Sequence, residues 1–78
     1  MKVYIVIIED RHHNTGLYPF MYKEKAMKFA ETEVIRRCNA ADSLPAPEKL
    51  IIHEPYIYSA RYSPNGDTVS VAECEVVE

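Results

Sequence analysis

Glycine is scarce in this chain. Only Gly16 and Gly66 occur among its 78 residues, so no glycine-rich loop exists to cradle a phosphate. Cysteine is scarce as well. Cys38 and Cys74 stand far apart in sequence, whereas a secreted mini-protein held by staples usually carries more. Two buried free thiols in a cytoplasmic protein are the expectation, and a single disulfide stays open if the elements carrying them pack together. Long apolar runs are missing too. The longest, residues 3–8, falls far short of the ~20 residues of a membrane-spanning helix. It follows a single lysine and lacks a small-residue cleavage site, so it does not read as a leader. Positive charge is not in excess: 9 Lys and Arg against 12 Asp and Glu leave a net charge of −3. That balance gives no general attraction to nucleic acid or anionic membrane, and neither is expected as a partner.

What is present belongs to a folded protein. Hydrophobic residues make up 47% and charged residues 27%, so disorder is not the default. The length suits one domain over residues 1–78 with a modest core. It leaves little room for a deep pocket, so no large cofactor is expected.

Residues 3–8, Val-Tyr-Ile-Val-Ile-Ile, are β-branched or aromatic throughout, a strong strand signal. Both faces of this strand are apolar, because odd and even positions alike carry large side chains. A polar turn over 9–14 follows. Residues 15–20 read as a second strand, placed on an edge by Pro19. Residues 23–39 form the one long helical pattern: Ala26, Met27, Ala30, Val34 and Cys38 make a continuous apolar stripe, with Lys25, Lys28, Thr32 and Arg36 opposite. Neither Met21 nor Tyr22 is a good cap. Prolines break the chain over 40–47, and 48–54 reads as a helical turn or an extended segment. A third strand spans 56–62. Ser63-Pro64-Asn65-Gly66-Asp67 is a hairpin turn, and a fourth strand spans 68–77.

The order β-β-α-β-β predicts an α+β fold: a four-stranded antiparallel sheet with one long amphipathic helix packed on one face. If Tyr62 pairs with Thr68, then Ile57, Ser59 and Arg61 share a face with Val69, Val71 and Glu73. A bulge near Gly66 would shift that register. The alternation of Tyr56, Tyr58 and Tyr62 places all three on one face.

Few residues suggest chemistry. Asp10, His12 and His13, with Glu9 before them and His53 and Glu54 elsewhere, are the only cluster of metal-capable groups. Adjacent histidines in a strand point to opposite faces and rarely hold one ion. Solvated loop residues are the plainer reading, and a small metal-dependent protein or enzyme is the alternative. Cys38 on the helix stripe and Cys74 in the last strand read as small core hydrophobes, not nucleophiles. No catalytic group, metal or cofactor is therefore assigned. Six tyrosines are many for 78 residues, and tyrosine is overused at interfaces. From Asp67 onward there are acids and no base: Glu73 and Glu75 lie in the last strand, and Glu78 follows. Tyr4, Tyr56, Tyr58, Tyr62, Glu73 and Glu75 are thus the candidate protein-binding residues.

The opening strand continuing into Glu9-Asp10-Arg11-His12 resembles small uncharacterised proteins of bacteria and their phages. So do Tyr18-Pro19-Phe20, the stretch 26–30, and Tyr62-Ser63 leading to Gly66-Asp67. The resemblance implies a shared fold and no assigned chemistry. At the level of class the chain is also similar to anti-CRISPR proteins in being small, acidic and without a catalytic motif. That likeness implies a non-enzymatic protein-binding module, an inhibitor of host machinery.

One further expectation follows from the first strand. Val3, Ile5 and Ile7 face one way, and Tyr4, Val6 and Ile8 the other. A helix of about seventeen residues is ~25 Å long and shields one sheet face only. The other is expected to be covered by a second copy in a homodimer through the sheet, by residues 44–55 folding back, or by another protein.

Overall fold

A computed structural model describes residues 1–39 and 44–77. The elements are β1 (Lys2–Glu9), β2 (Gly16–Phe20), α1 (Lys23–Cys38), β3 (Glu48–Lys49), β4 (Tyr56–Arg61) and β5 (Thr68–Glu75). The α+β class holds, with one helix among the described residues against a sheet antiparallel throughout. The sheet has five strands, in the order β2-β1-β5-β4-β3, and not four. The addition is β3, two residues long, which pairs Glu48 with Arg61 and Lys49 with Ala60. Its two charged residues carry no apolar alternation, and only the neighbouring β4 edge recruits them.

The apolar stripe of α1 behaves as its spacing requires. Ala26, Ala30, Val34 and Cys38 are buried at one residue per turn, and the two alanines let the helix sit close to the sheet. Tyr22 is the N-cap and offers no side-chain bond. Glu24 in the first turn and Arg36 and Arg37 in the last complement the helix dipole. Phe29 flanks the stripe and meets Tyr18 and Phe20 of β2, with ring centroids 5.2 and 5.3 Å away.

The helix covers the face carrying Val6 and Ile8 of β1, Val69 and Val71 of β5, and Tyr58 and Ala60 of β4, all buried. Here the register differs from expectation. Arg61, not Tyr62, stands opposite Thr68. The Gly66 N–H donates to the Ser63 carbonyl at 3.1 Å, with Gly66 at φ 92°, a conformation glycine adopts freely. This turn lets the Tyr62 N–H donate to the Asp67 carbonyl at 3.0 Å. A slip of one residue exchanges the faces, so Ser59 and Arg61 lie away from Val69 and Val71, and Tyr58 and Ala60 lie with them.

The register also shifts between Tyr56 and Tyr58, as Tyr56 pairs with Ala72 and Tyr58 with Val71. The three tyrosines therefore do not share a face. Tyr58 and Tyr62 lie under the helix, while Tyr56 turns to the opposite side. The expected break over 40–47 lies partly outside the described residues, as does Glu78. Among the described residues no helix is long and apolar enough to cross a membrane.

Candidate functional site

Strand alternation defines the face that α1 leaves bare. β1 contributes Val3, Ile5, Ile7 and Glu9. Their partners on β5 are Cys74, Ala72, Ser70 and Thr68, and Pro19 and Leu17 of β2 stand opposite Ile5 and Ile7. Ser59 and Arg61 extend the face along β4, and Glu48 extends it along β3. Its small residues Ser70 and Ala72 are buried, yet Leu17 is 63% exposed, and Val3, Ile5 and Ile7 remain partly exposed.

The fold-back of residues 44–55 accounts for one side of this face. The Leu44 N–H donates to the Tyr62 carbonyl at 2.9 Å and the Leu50 N–H to the Ser59 carbonyl at 3.0 Å. Further on, the Glu73 N–H donates to the Pro55 carbonyl at 2.8 Å. The segment thus runs beside β4 and does not cross to β1 and β2. Between it and the sheet lies a cleft of about 310 Å³, lined by Leu50, Ile51, Ile52, His53, Glu54, Tyr56, Ser59 and Ser70. Its polar groups include the Ser59 and Ser70 hydroxyls, bonded to each other at 2.8 Å. Ile51 is 90% exposed beside it.

The six residues expected to bind protein separate. Tyr4 is half-buried against the core under the helix, and Tyr58 and Tyr62 lie inside that core. Burial pushes both phenols up in pKa. Tyr56 alone of the six faces the bare side. It also lines a second cleft of about 360 Å³ with Glu54, Glu73, Glu75 and Lys2. Glu73 accepts a salt bridge from Lys2 at 2.8 Å, and Glu75 from the Met1 amino group at 3.3 Å. Sequence reading did not identify Leu17, Pro19, Ser59 or Ser70. The alternation of Leu17 and Pro19 against Tyr18 and Phe20 was the available signal for the first two.

The loop cluster is occupied by its own contacts. Asp10 accepts the His12 N–H on Oδ1 at 2.9 Å, while its Oδ2 lies 3.3 Å from the Tyr62 hydroxyl and 3.7 Å from Arg37. Arg11 Nε donates to His12 Nε2 at 3.2 Å, and the Arg11 N–H donates to Asp67 at 3.0 Å. His53 and Glu54 belong to the cleft instead. Among the described residues no group of three or more His, Cys, Asp or Glu side chains is arranged to hold a metal ion. Cys38 and Cys74 are unpaired, and burial pushes the Cys38 thiol up in pKa.

Comparison with protein-family models, curated proteins and solved structures finds no match to this chain.

The Asp10 network sets a pH dependence. Hydrogen bonding from the His12 N–H, ahead of the Tyr62 hydroxyl, holds the Asp10 carboxyl below its ordinary value of 3.8. A depressed folded-state pKa contributes stability above the unfolded value, and that stability is lost as pH falls through the folded one. Asp10→Asn is therefore expected to lower the urea midpoint at neutral pH, with the gap to wild type closing below 3.8. A gap that widens on acidification would contradict this account.

Proposed function

We propose that this chain is a non-enzymatic protein-binding module whose contact surface is the bare face of the sheet. One observation carries the reading: Val3, Ile5, Ile7 and Leu17 form apolar rows away from the helix, and Ile52 and Tyr56 line the cleft at their margin. Soluble proteins seldom leave large apolar side chains in rows on a sheet face without use. Blocking a host protein, as anti-CRISPR proteins do, rests on the sequence resemblance alone. Two unpaired thiols fit a reducing compartment such as the cytoplasm. The alternative, a metal-dependent protein built on Asp10, His12 and His13, is the weaker proposal, because Asp10 is already engaged on both oxygens.

A homodimer through the sheet is the second reading of the same rows, since a second copy could also bury them. Sedimentation equilibrium at tens of micromolar separates the two, since a dimer would fill the face and a monomer would leave it free.

The main reading is tested by affinity capture from the source cell's lysate. Leu17→Lys/Ile52→Lys alters two exposed positions, where substitutions usually change stability within ~0.5 kcal/mol. Wild type is expected to retain a stoichiometric partner and the double variant to lose it. Ile35→Lys, on the 54% exposed outer side of α1, should retain it. Equal capture by all three proteins, or no stoichiometric partner for wild type, would sink the proposal.

A further inference from the structure

The charges around the bare face indicate what it docks. Glu9, Glu48 and Glu54 surround the apolar rows; Arg61 stands among them, Lys2 shares a cleft with Glu54 but is paired with Glu73, and Arg11 lies near Glu9. Arg61 Nη2 is committed to Glu48 at 2.8 Å. Glu9 and Glu54 have no ion-pair partner among the described residues. The cations of the chain sit mostly elsewhere: Lys23, Lys25, Lys28 and Arg36 are all on the helix. A second copy packed face to face would bring these carboxylates toward one another, and like-charge contact disfavours association. A foreign segment with basic flanks would meet them with opposite charge.

The shape restricts the segment further. Strand addition is blunted at both sheet edges, by Pro19 on β2 and by the two-residue length of β3. A face is what remains available, and an apolar sheet face is ordinarily covered by a helix, as α1 covers the other side. The five strands together hold 29 residues, which at ~3.4 Å per residue and ~4.8 Å between strands give a face of roughly 470 Å². That is well below the ~800 Å² each partner buries in an ordinary interface, and it suits one helix rather than a whole globular surface.

We infer that the bare sheet face docks a basic amphipathic helix of a partner protein. Its large apolar side chains sit on Ile5, Ile7, Leu17 and Ile52, and Lys or Arg on its flanks meets Glu9 and Glu54. The helix completes a third layer over the sheet. This deepens the protein-binding reading and rests on it.

The test uses fluorescein-labelled peptides of about 18 residues with Leu or Ile at helical i, i+3, i+4, i+7 spacing. One carries Lys and Arg on its flanks, a second carries Glu there, and a third scrambles the basic sequence so that the stripe is lost. The basic striped peptide is expected to bind at least about tenfold tighter than either control, with the preference over the acidic one shrinking at ~0.5 M salt. Its amide shift perturbations should fall on β1, β5 and residues 50–56. Glu9→Gln/Glu54→Gln should reduce the charge preference, and Leu17→Lys/Ile52→Lys should remove binding. No binding by the basic striped peptide overturns the inference. So does equal binding of the scrambled or acidic peptide, a perturbation confined to α1, or a wild-type dimer that fills the face. If lysate capture still depends on Leu17 and Ile52 while the peptide preference fails, the protein-binding reading stands and only the partner's chemistry is wrong.

Discussion

Val71→Asp is expected to leave the chain unfolded at room temperature. Val71 is 0% exposed, central in β5, and opposed by Val6 on one side and Tyr58 on the other. A carboxylate there is buried within the apolar core cluster, and an unpaired buried charge costs upward of ~4 kcal/mol. A domain of this length has roughly 4–12 kcal/mol in total, at ~0.05–0.15 kcal/mol per residue. Far-UV circular dichroism should show no cooperative melting transition. Val71→Ala removes methyl groups and leaves a small cavity, costing about 1–3 kcal/mol, so it should still fold. If Val71→Asp melted cooperatively within a few degrees of wild type, the burial assigned to this face would be wrong.

Tyr62→Ala is expected to cost ~3–5 kcal/mol, the usual range for emptying a buried aromatic site. Tyr62→Phe should cost below about 1 kcal/mol, because the hydroxyl's contacts to the Glu9 carbonyl and Asp10 Oδ2 are long, at 3.4 and 3.3 Å. The ring is 4% exposed, with the Arg37 guanidinium 5.5 Å from its centroid. Urea denaturation of the two variants separates the ring from the hydroxyl. Comparable losses would assign the stability to the hydroxyl network, and a neutral Tyr62→Ala would return this tyrosine to the surface as a binding residue.

The tyrosines show how far local pattern reaches. Tyr4, Tyr56, Tyr58 and Tyr62 look alike in sequence, and interface preference applied to all four equally. The structure places three against or within the core and one on the bare face. What divides them is a register shift at one position in β4 and a turn whose closing pair is Tyr62 with Asp67. Neither has a hydrophobic period of its own. A strand's two faces are one residue apart, so a single-residue error in register exchanges core and surface along its whole length.

Legibility was otherwise good where a period runs long enough. The doubly apolar β1, the edge character of β2 signalled by Pro19, the stripe from Ala26 to Cys38 and the turn at Gly66 all lie in local spacing. So did the shortage of cover that makes the bare face interesting, since one helix cannot shield two apolar faces. Leu17 carries no local signal for the face it takes, because that face is set by its pairing with Ile7 of β1.

By itself the sequence determined the fold class, the single helix and its buried stripe, and the presence of apolar residues on both sides of the first strand. Those features arise from periodicities of 2 and 3.6 residues, which act between near neighbours in the chain. The tertiary structure alone decided the strand order with β5 at the centre, the recruitment of Glu48 and Lys49 as a fifth strand, and the path of residues 44–55 along β4. It also decided that Glu9, Glu48 and Glu54 surround the uncovered rows. Each of these depends on pairing between residues distant in sequence, where backbone hydrogen bonds and burial choose the partner and no local spacing records the choice.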